Sequence, residues 1–272
     1  MLATEFEFVA PTELEEALAA LAGPETKALA GGMSLVPLLN LGAVRPRTIV
    51  SLRRLAGLRT VADDGDAIRI GASVTHAELV SNELVREACP VLANTAALLA
   101  DVQVRNRGTI GGSLAHSEPA AEYLTLLSAL DAEVTVRSAE AERKVPVRKL
   151  AVAANRTVLE PTELIVSVRV PKVPPGAAAY IRYARVQGNY STVNAAALLN
   201  GGGVVAIGGA LPIPVVISFD EPDAVAGAAE EACRDAYADP VATADYRRAM
   251  AGVFARRVVE LAQTDPSAAV KA

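Results

Sequence analysis

The chain has 272 residues, 51% hydrophobic and 4% aromatic, a length that suggests two domains able to bury a core without a disulfide or metal staple. Its formal net charge of −5 argues against a general nucleic-acid binder, which carries a basic footprint. Two distant cysteines, Cys89 and Cys233, and two histidines, His76 and His116, form no zinc pattern and exclude a resident iron–sulfur cluster with its four cysteine ligands.

The start, Met1 to Glu7, lacks the basic and apolar stretches of a signal peptide. Thr12 and Glu15 fit a capping box ahead of Leu14, Ala17, Leu18 and Leu21, with Gly23 placed to end a helix. A strand over 27–30, a glycine turn, a helical turn through Leu38 and Leu39 and a strand over 48–52 then predict a βαβ unit. Ile68-Arg69-Ile70 alternates like a half-exposed strand. Thr75 and Glu78 make a second capping box, and 83–100 reads as helix limited or kinked by Pro90. An apparent strand over 102–107 leads to a second glycine turn. Pro119 is placed to start a helix running to about Leu130.

Strands are predicted over 133–137 and 163–170. Pro171, Pro174, Pro175 and Gly176 then mark an interdomain linker. Beyond it, strands over 178–185, 192–199, 204–207 and 215–219 precede helices over 223–238 and 243–263, the pattern of an α+β domain. Val186 to Phe219 carries no charge, but Gly201, Gly202, Gly203, Gly208, Gly209, Pro212 and Pro214 interrupt it. A membrane helix needs about 20 consecutive apolar residues, so buried strands with tight turns are expected, in a soluble cytoplasmic protein.

The two glycine turns carry the chemical signal: Ala30-Gly31-Gly32-Met33-Ser34 and Thr109-Ile110-Gly111-Gly112-Ser113. Glycine permits positive φ and close approach of a ligand to the main chain, and successive N–H groups there form an anion nest. Each turn alone can be mere turn chemistry. The pair, each between an apparent strand and a helix, could clamp a pyrophosphate from both sides. There is no P-loop signature, no G-x-G-x-x-G after a first strand and no G-x-S-x-G nucleophile turn. Ser113, His116 and Glu118 are close in sequence, which is poor grounds for a catalytic triad. Charge is uneven. Residues 26–62 hold Lys27, Arg45, Arg47, Arg53, Arg54 and Arg59 without an acid, and residues 220–240 hold seven acids with Arg234. These are either solvated faces or docking faces.

Ala30 to Leu35 with Pro37 resembles the first FAD loop of the flavin subunit of molybdenum hydroxylases, the family of carbon monoxide dehydrogenase medium subunits and xanthine dehydrogenase flavin portions. Val104 to His116, continuing through Glu118-Pro119-Ala120-Ala121-Glu122, resembles its second loop. Tyr183-Ala184-Arg185, Tyr190 to Ala196 and Tyr246 to Met250 resemble its C-terminal domain.

The resemblance implies an α+β fold. A two-part FAD-binding domain (PCMH-type, vanillyl-alcohol-oxidase-like) would span 1–175, divided near 55, followed by a smaller C-terminal domain over 176–272. It implies non-covalent FAD held by Ala30, Gly31, Gly32, Met33, Ser34 and Leu35, and by Thr109, Ile110, Gly111, Gly112 and Ser113. Glu122 and Tyr190 would stand near the flavin. The family favours Asp where Ser51, Glu118 and Glu122 stand here. It further implies a large molybdenum-cofactor subunit and a small [2Fe-2S] subunit, two copies of each, with electrons passing from the clusters through FAD to an external acceptor. The alternatives are a stand-alone FAD-dependent UDP-N-acetylenolpyruvoylglucosamine reductase and a nucleotide-binding or assembly protein without redox chemistry. On this reading, valine at Gly32 or Gly111 is expected to abolish FAD binding and leave the chain soluble.

Overall fold

The computed structural model describes residues 5–199, 202–264 and 269–271. Three of the N-terminal residues read above and Gly201 therefore lie outside the described residues, as does Thr4.

The first layer is a small parallel sheet in which Thr48–Ser51 lies between Glu7–Val9 and Thr26–Leu29. The helix Leu35–Asn40 connects its second and third strands, so the βαβ unit forms as the sequence suggests. The strand Glu7–Val9 carried no clear sequence pattern. The helix Leu14–Leu21 packs Leu18 and Leu21 against Val50 and Leu52. Its start differs from expectation: Glu13 takes the N-cap position and no side chain caps it, so the Thr12–Glu15 box does not form.

The second layer is a five-stranded antiparallel sheet ordered Val61–Asp63, Ala67–Gly71, Leu164–Pro171, Glu133–Arg137, Glu142–Pro146. The Thr75–Glu78 box does form: Thr75 Oγ1 accepts from Glu78 N–H at 3.2 Å, and the Glu78 carboxylate accepts from Thr75 N–H at 2.8 Å. The helix expected over 83–100 is two, Glu83–Ala88 and Pro90–Leu98, because Pro90 opens the second as its first residue. Pro119, by contrast, does not start a helix. Residues 118–121 form a turn closed by Ala121 N–H to Glu118 O at 2.9 Å, and the helix runs Glu122–Ala129.

The third layer is a five-stranded sheet ordered Val215–Phe219, Gly203–Gly208, Val193–Leu199, Ala178–Tyr183, Ala269–Lys271. Its central strands are apolar on both faces because both are covered. Tyr180, Ala196 and Ala206 pack toward the helix Glu122–Ala129, all of whose residues are buried. Ala179, Ala195, Val205 and Ile207 pack toward Val225–Ala232 and the long helix Ala244–Thr264. The first of these helices is shorter than the expected 223–238. One continuous core therefore runs from the antiparallel sheet across the linker into the C-terminal sheet. Among the described residues no helix is long and apolar enough to cross a membrane.

Candidate functional site

The first glycine loop leaves the parallel sheet at Leu29 and enters the helix at Leu35. Gly32 has φ of 80°, a conformation an L side chain rarely adopts. Gly31 is required for a different reason. A Cβ there would stand 1.9 Å from the carbonyl oxygen of Arg107, inside the second loop. Among the described residues, the N–H groups of Gly31, Gly32, Met33 and Ser34 make no hydrogen bond within the chain. Four consecutive main-chain donors without partners are an unusual concentration, since buried or partly buried N–H groups are nearly always paired.

The second loop is built differently from expectation. Val102–Arg105 is a short helix rather than a strand, capped by Asp101, whose carboxylate accepts from Val104 N–H at 2.8 Å. Thr109 caps the next helix, Ile110–His116, accepting from Gly112 N–H at 3.1 Å, so Gly111 and Gly112 lie in its first turn. Ile110 N–H donates to Val74 O at 3.1 Å and Gly111 N–H to Ala72 O at 2.9 Å. These donors are thus taken up by the fold, which corrects the expectation of a second open nest. Gly111 is required for packing, because a Cβ there would meet the Ala72 side chain at 2.5 Å and its carbonyl oxygen at 2.8 Å. Valine at Gly111 would therefore disturb the fold itself, whereas valine at Gly32 strains a loop at the surface of the cleft.

The loops touch. The Arg107 guanidinium donates to Gly31 O through Nε at 3.3 Å and through a terminal nitrogen at 3.2 Å. Together they line one cleft of about 1100 Å³. Of the residues singled out in the sequence, Ala30, Gly31, Gly32, Met33, Ser34, Leu35, Thr109, Gly111, Gly112, Ser113, Glu122 and Tyr190 all line it. Ile110 does not; its side chain is fully buried behind the loop. The cleft has walls that sequence reasoning missed. His76 and Ser73 form part of its floor. The hairpin Ala151–Ala153 with Arg156–Thr157, and the chain from Val158 to Pro161, form the side facing the loops. The hairpin carried no periodic or motif signal of its own, and Arg107, though inside the second-loop motif, carried no sign that it meets Gly31.

Electrostatics at the inner end of the cleft centre on Glu122. Its carboxylate is buried, 3.2 Å from Arg182 Nε, and accepts from the Ser191 hydroxyl at 3.3 Å. Burial pushes this carboxyl above its usual range, and the Arg182 guanidinium opposes that shift. Tyr190 is half-exposed at the rim, and burial raises its phenol, helped by the charges of Glu118 and Glu122.

His76 sits beneath Gly108, with Nδ1 3.1 Å from the Tyr123 hydroxyl. Burial, aided by Arg105, pushes it down from 6.5 to about 4. Between these pH values the unfolded chain binds a proton that the folded chain excludes, so stability is lost as pH falls through that window. The full effect is about 3 kcal/mol. We expect urea unfolding of wild type to weaken from pH 7 to pH 4 by that much more than unfolding of a His76→Gln variant. Equal pH dependence in the two would contradict the assignment.

Some charges of these stretches are paired, the basic one with an acid just outside it and the acidic one within itself. Arg47 pairs with Glu25 at 2.7 Å and Arg234 with Glu231 at 2.7 Å, both pairs well exposed. Among the described residues no group of three or more His, Cys, Asp or Glu is placed to hold a metal ion.

The cleft is thus lined by both glycine loops, by the hairpin around Asn155 and by Gly188, Asn189 and Tyr190 from the C-terminal part of the chain. The family model for the FAD binding domain in molybdopterin dehydrogenase matches residues 4–173. The chain belongs to this family, and it is an FAD-binding oxidoreductase component of the molybdenum hydroxylase class. It is 43% identical over 197 residues to the 6-hydroxypseudooxynicotine dehydrogenase complex subunit alpha of Paenarthrobacter nicotinovorans, covering 71% of this chain and 67% of that one. It is 32% identical over 283 residues to the carbon monoxide dehydrogenase medium chain of Hydrogenophaga pseudoflava, covering 96% and 98%. Among solved structures, carbon monoxide dehydrogenase from Hydrogenophaga pseudoflava superposes with a TM-score of 0.90 at 32% identity, over 96% of this chain and 98% of that chain. Quinoline 2-oxidoreductase from Pseudomonas putida 86 does so with 0.88 at 29% identity, over 97% and 98%. These matches run through the C-terminal sheet and helices, which supports the hydroxylase reading over the stand-alone reductase. The relatives are subunits of multi-subunit complexes.

Proposed function

We propose that this chain is the flavoprotein subunit of a molybdenum-containing dehydrogenase and holds one FAD, without a covalent bond, in the cleft between the two glycine loops. The observation that carries the reading is the run of partnerless N–H groups from Gly31 to Ser34, pressed against the second loop at Arg107. Such a row of donors suits a pyrophosphate. Ala30 and Leu35 flank that row. Ser113, Thr109 and Gly112 supply the facing wall, and Ile110 and Gly111 anchor it to Val74 and Ala72, just beyond the strand Ala67–Gly71. Glu122 and Tyr190 stand at the inner end and the rim, on the flavin side of this reading.

The chemistry FAD supplies there is the passage of electrons from [2Fe-2S] clusters on a small partner subunit to an external acceptor. The chain's own residues bind, orient and shield the cofactor. Tyr190 covers the rim, and the buried Glu122 sets the charge at the cleft's inner end. Partners would be that small subunit and a large molybdenum-cofactor subunit, two copies of each, in a cytoplasmic complex. The reading divides the chain into an FAD-binding unit over 1–175, with halves meeting near residue 55, and a C-terminal unit over 176–272.

The purified chain is expected to be yellow, with one FAD per chain released into solution by acid or heat. The first loop, Ala30 to Leu35, contains no His or Cys to form a covalent link. Flavin that stays with the acid precipitate would contradict the non-covalent reading, and a colourless protein that takes up no FAD would contradict the reading as a whole.

A further inference from the structure

We propose that Arg182, which does not line the cleft, is the positioning residue that fixes its inner end around the cofactor. The proposal rests on the reading that FAD occupies this cleft. Arg182 lies near the end of the C-terminal strand Ala178–Tyr183, on the face it shares with Ala178 and Tyr180, and is 2% exposed. Its guanidinium joins three segments that are distant in sequence. Nε is 3.2 Å from Glu122 Oε1 at the start of the helix Glu122–Ala129, and also donates to Ser191 Oγ at 3.2 Å. One terminal nitrogen donates to Leu98 O at 2.9 Å, at the end of the helix Pro90–Leu98. The other donates to Asn189 O, in the loop that carries Tyr190.

Each partner leads directly into the cleft. Glu122, Leu99, Asn189 and Tyr190 all line it. The strand therefore ends in a planar fork whose donors fix one carboxylate and two stretches of main chain. A buried guanidinium is tolerated only when paired and fully hydrogen-bonded, and here those bonds go to the cleft wall rather than to the sheet it belongs to. An apolar side chain would serve the packing of this face equally well. The arrangement instead makes the charge balance beside the cofactor depend on the pair Glu122–Arg182, and the seating of Tyr190 depend on Arg182.

The test uses the full-length chain and the variants Arg182→Lys, Arg182→Met, Glu122→Gln and the charge-neutral double variant Arg182→Met with Glu122→Met. FAD affinity, the midpoint potential of the bound flavin and the urea midpoint of the FAD-free chain are measured for each. Loss of the fork's bonds to the wall is expected to weaken FAD binding about tenfold or more in Arg182→Met and in the double variant. The double variant, with no charge left buried and unpaired, recovers the urea midpoint lost in Arg182→Met. Glu122→Gln leaves an unbalanced cation and raises the flavin potential. Arg182→Met removes the guanidinium that opposes the upward shift of the buried Glu122 carboxyl, so that carboxyl takes up a proton near neutral pH and lowers the potential only at alkaline pH, where it ionises. Arg182→Lys keeps the charge and stays nearest wild type in potential. A merely structural Arg182 would shift stability without these changes in potential. Wild-type affinity and potential in the double variant would overturn the proposal while leaving the cleft reading intact. A wild-type chain that binds no FAD would overturn both.

Discussion

Gly31→Val is expected to abolish FAD retention, with affinity falling by about a hundredfold or more. The new Cβ would stand 1.9 Å from the Arg107 carbonyl oxygen and 2.6 Å from the carbonyl carbon. Both are main-chain atoms, so no rotamer change relieves the contact. The first loop must move away from the second, and the row of N–H groups from Gly31 to Ser34 moves with it. The displaced part is a surface loop outside the three cores, so the variant should remain folded and soluble. Flavin absorbance per chain after desalting, with the far-UV circular dichroism unchanged, checks this. Full flavin content in a folded Gly31→Val protein would show that the loops do not need to touch for the cofactor to bind.

The largest loss of stability is expected from Arg247→Met, about 3–5 kcal/mol. Arg247 is 1% exposed on the helix Ala244–Thr264. It pairs with Asp239 at 2.7 Å, donates to Gly209 O at 2.6 Å and to Thr192 O, and stacks 4.3 Å over the Tyr237 ring. Gly209 N–H in turn donates to Pro119 O at 3.0 Å. The guanidinium thus fastens the long helix to the turn that precedes Glu122. Methionine fills much of the volume but leaves two buried carbonyls without donors. Urea unfolding should show a lower midpoint with an unchanged slope. A midpoint within error of wild type would mean that water or a neighbouring donor replaces the fork.

Much of this was legible in the sequence, and the exceptions have specific causes. The parallel unit around Gly31 was readable because alternation and glycine placement are local. The second loop was recognisable as a motif, but its mechanics were not. Nothing local says that Gly111 faces Ala72 or that its N–H bonds the Ala72 carbonyl, because that contact joins segments about forty residues apart. Pro119 fits the first turn of a helix by itself, yet the contacts of residues 118–121 with the C-terminal sheet hold a turn there. Arg182 reads as an ordinary charge in an alternating strand until the fold buries it. The proline-rich stretch Pro171 to Gly176 reads as a boundary because proline and glycine placement is local. The core that continues beneath that stretch was not legible, since Tyr180, Ala196 and Ala206 meet the helix Glu122–Ala129 only in three dimensions.

The central claim is that this chain is one part of an electron path whose other cofactors reside on partner chains. Purification of the tagged chain from its native host, with masses of the co-purifying chains and molybdenum, iron and FAD measured per chain, tests it most directly. The account predicts two further chains in fixed ratio, one small and one large, with one FAD, molybdenum and two-iron clusters for each copy of this chain. A lone flavoprotein that turns over its own substrate with NADPH, free of molybdenum and iron, would contradict it.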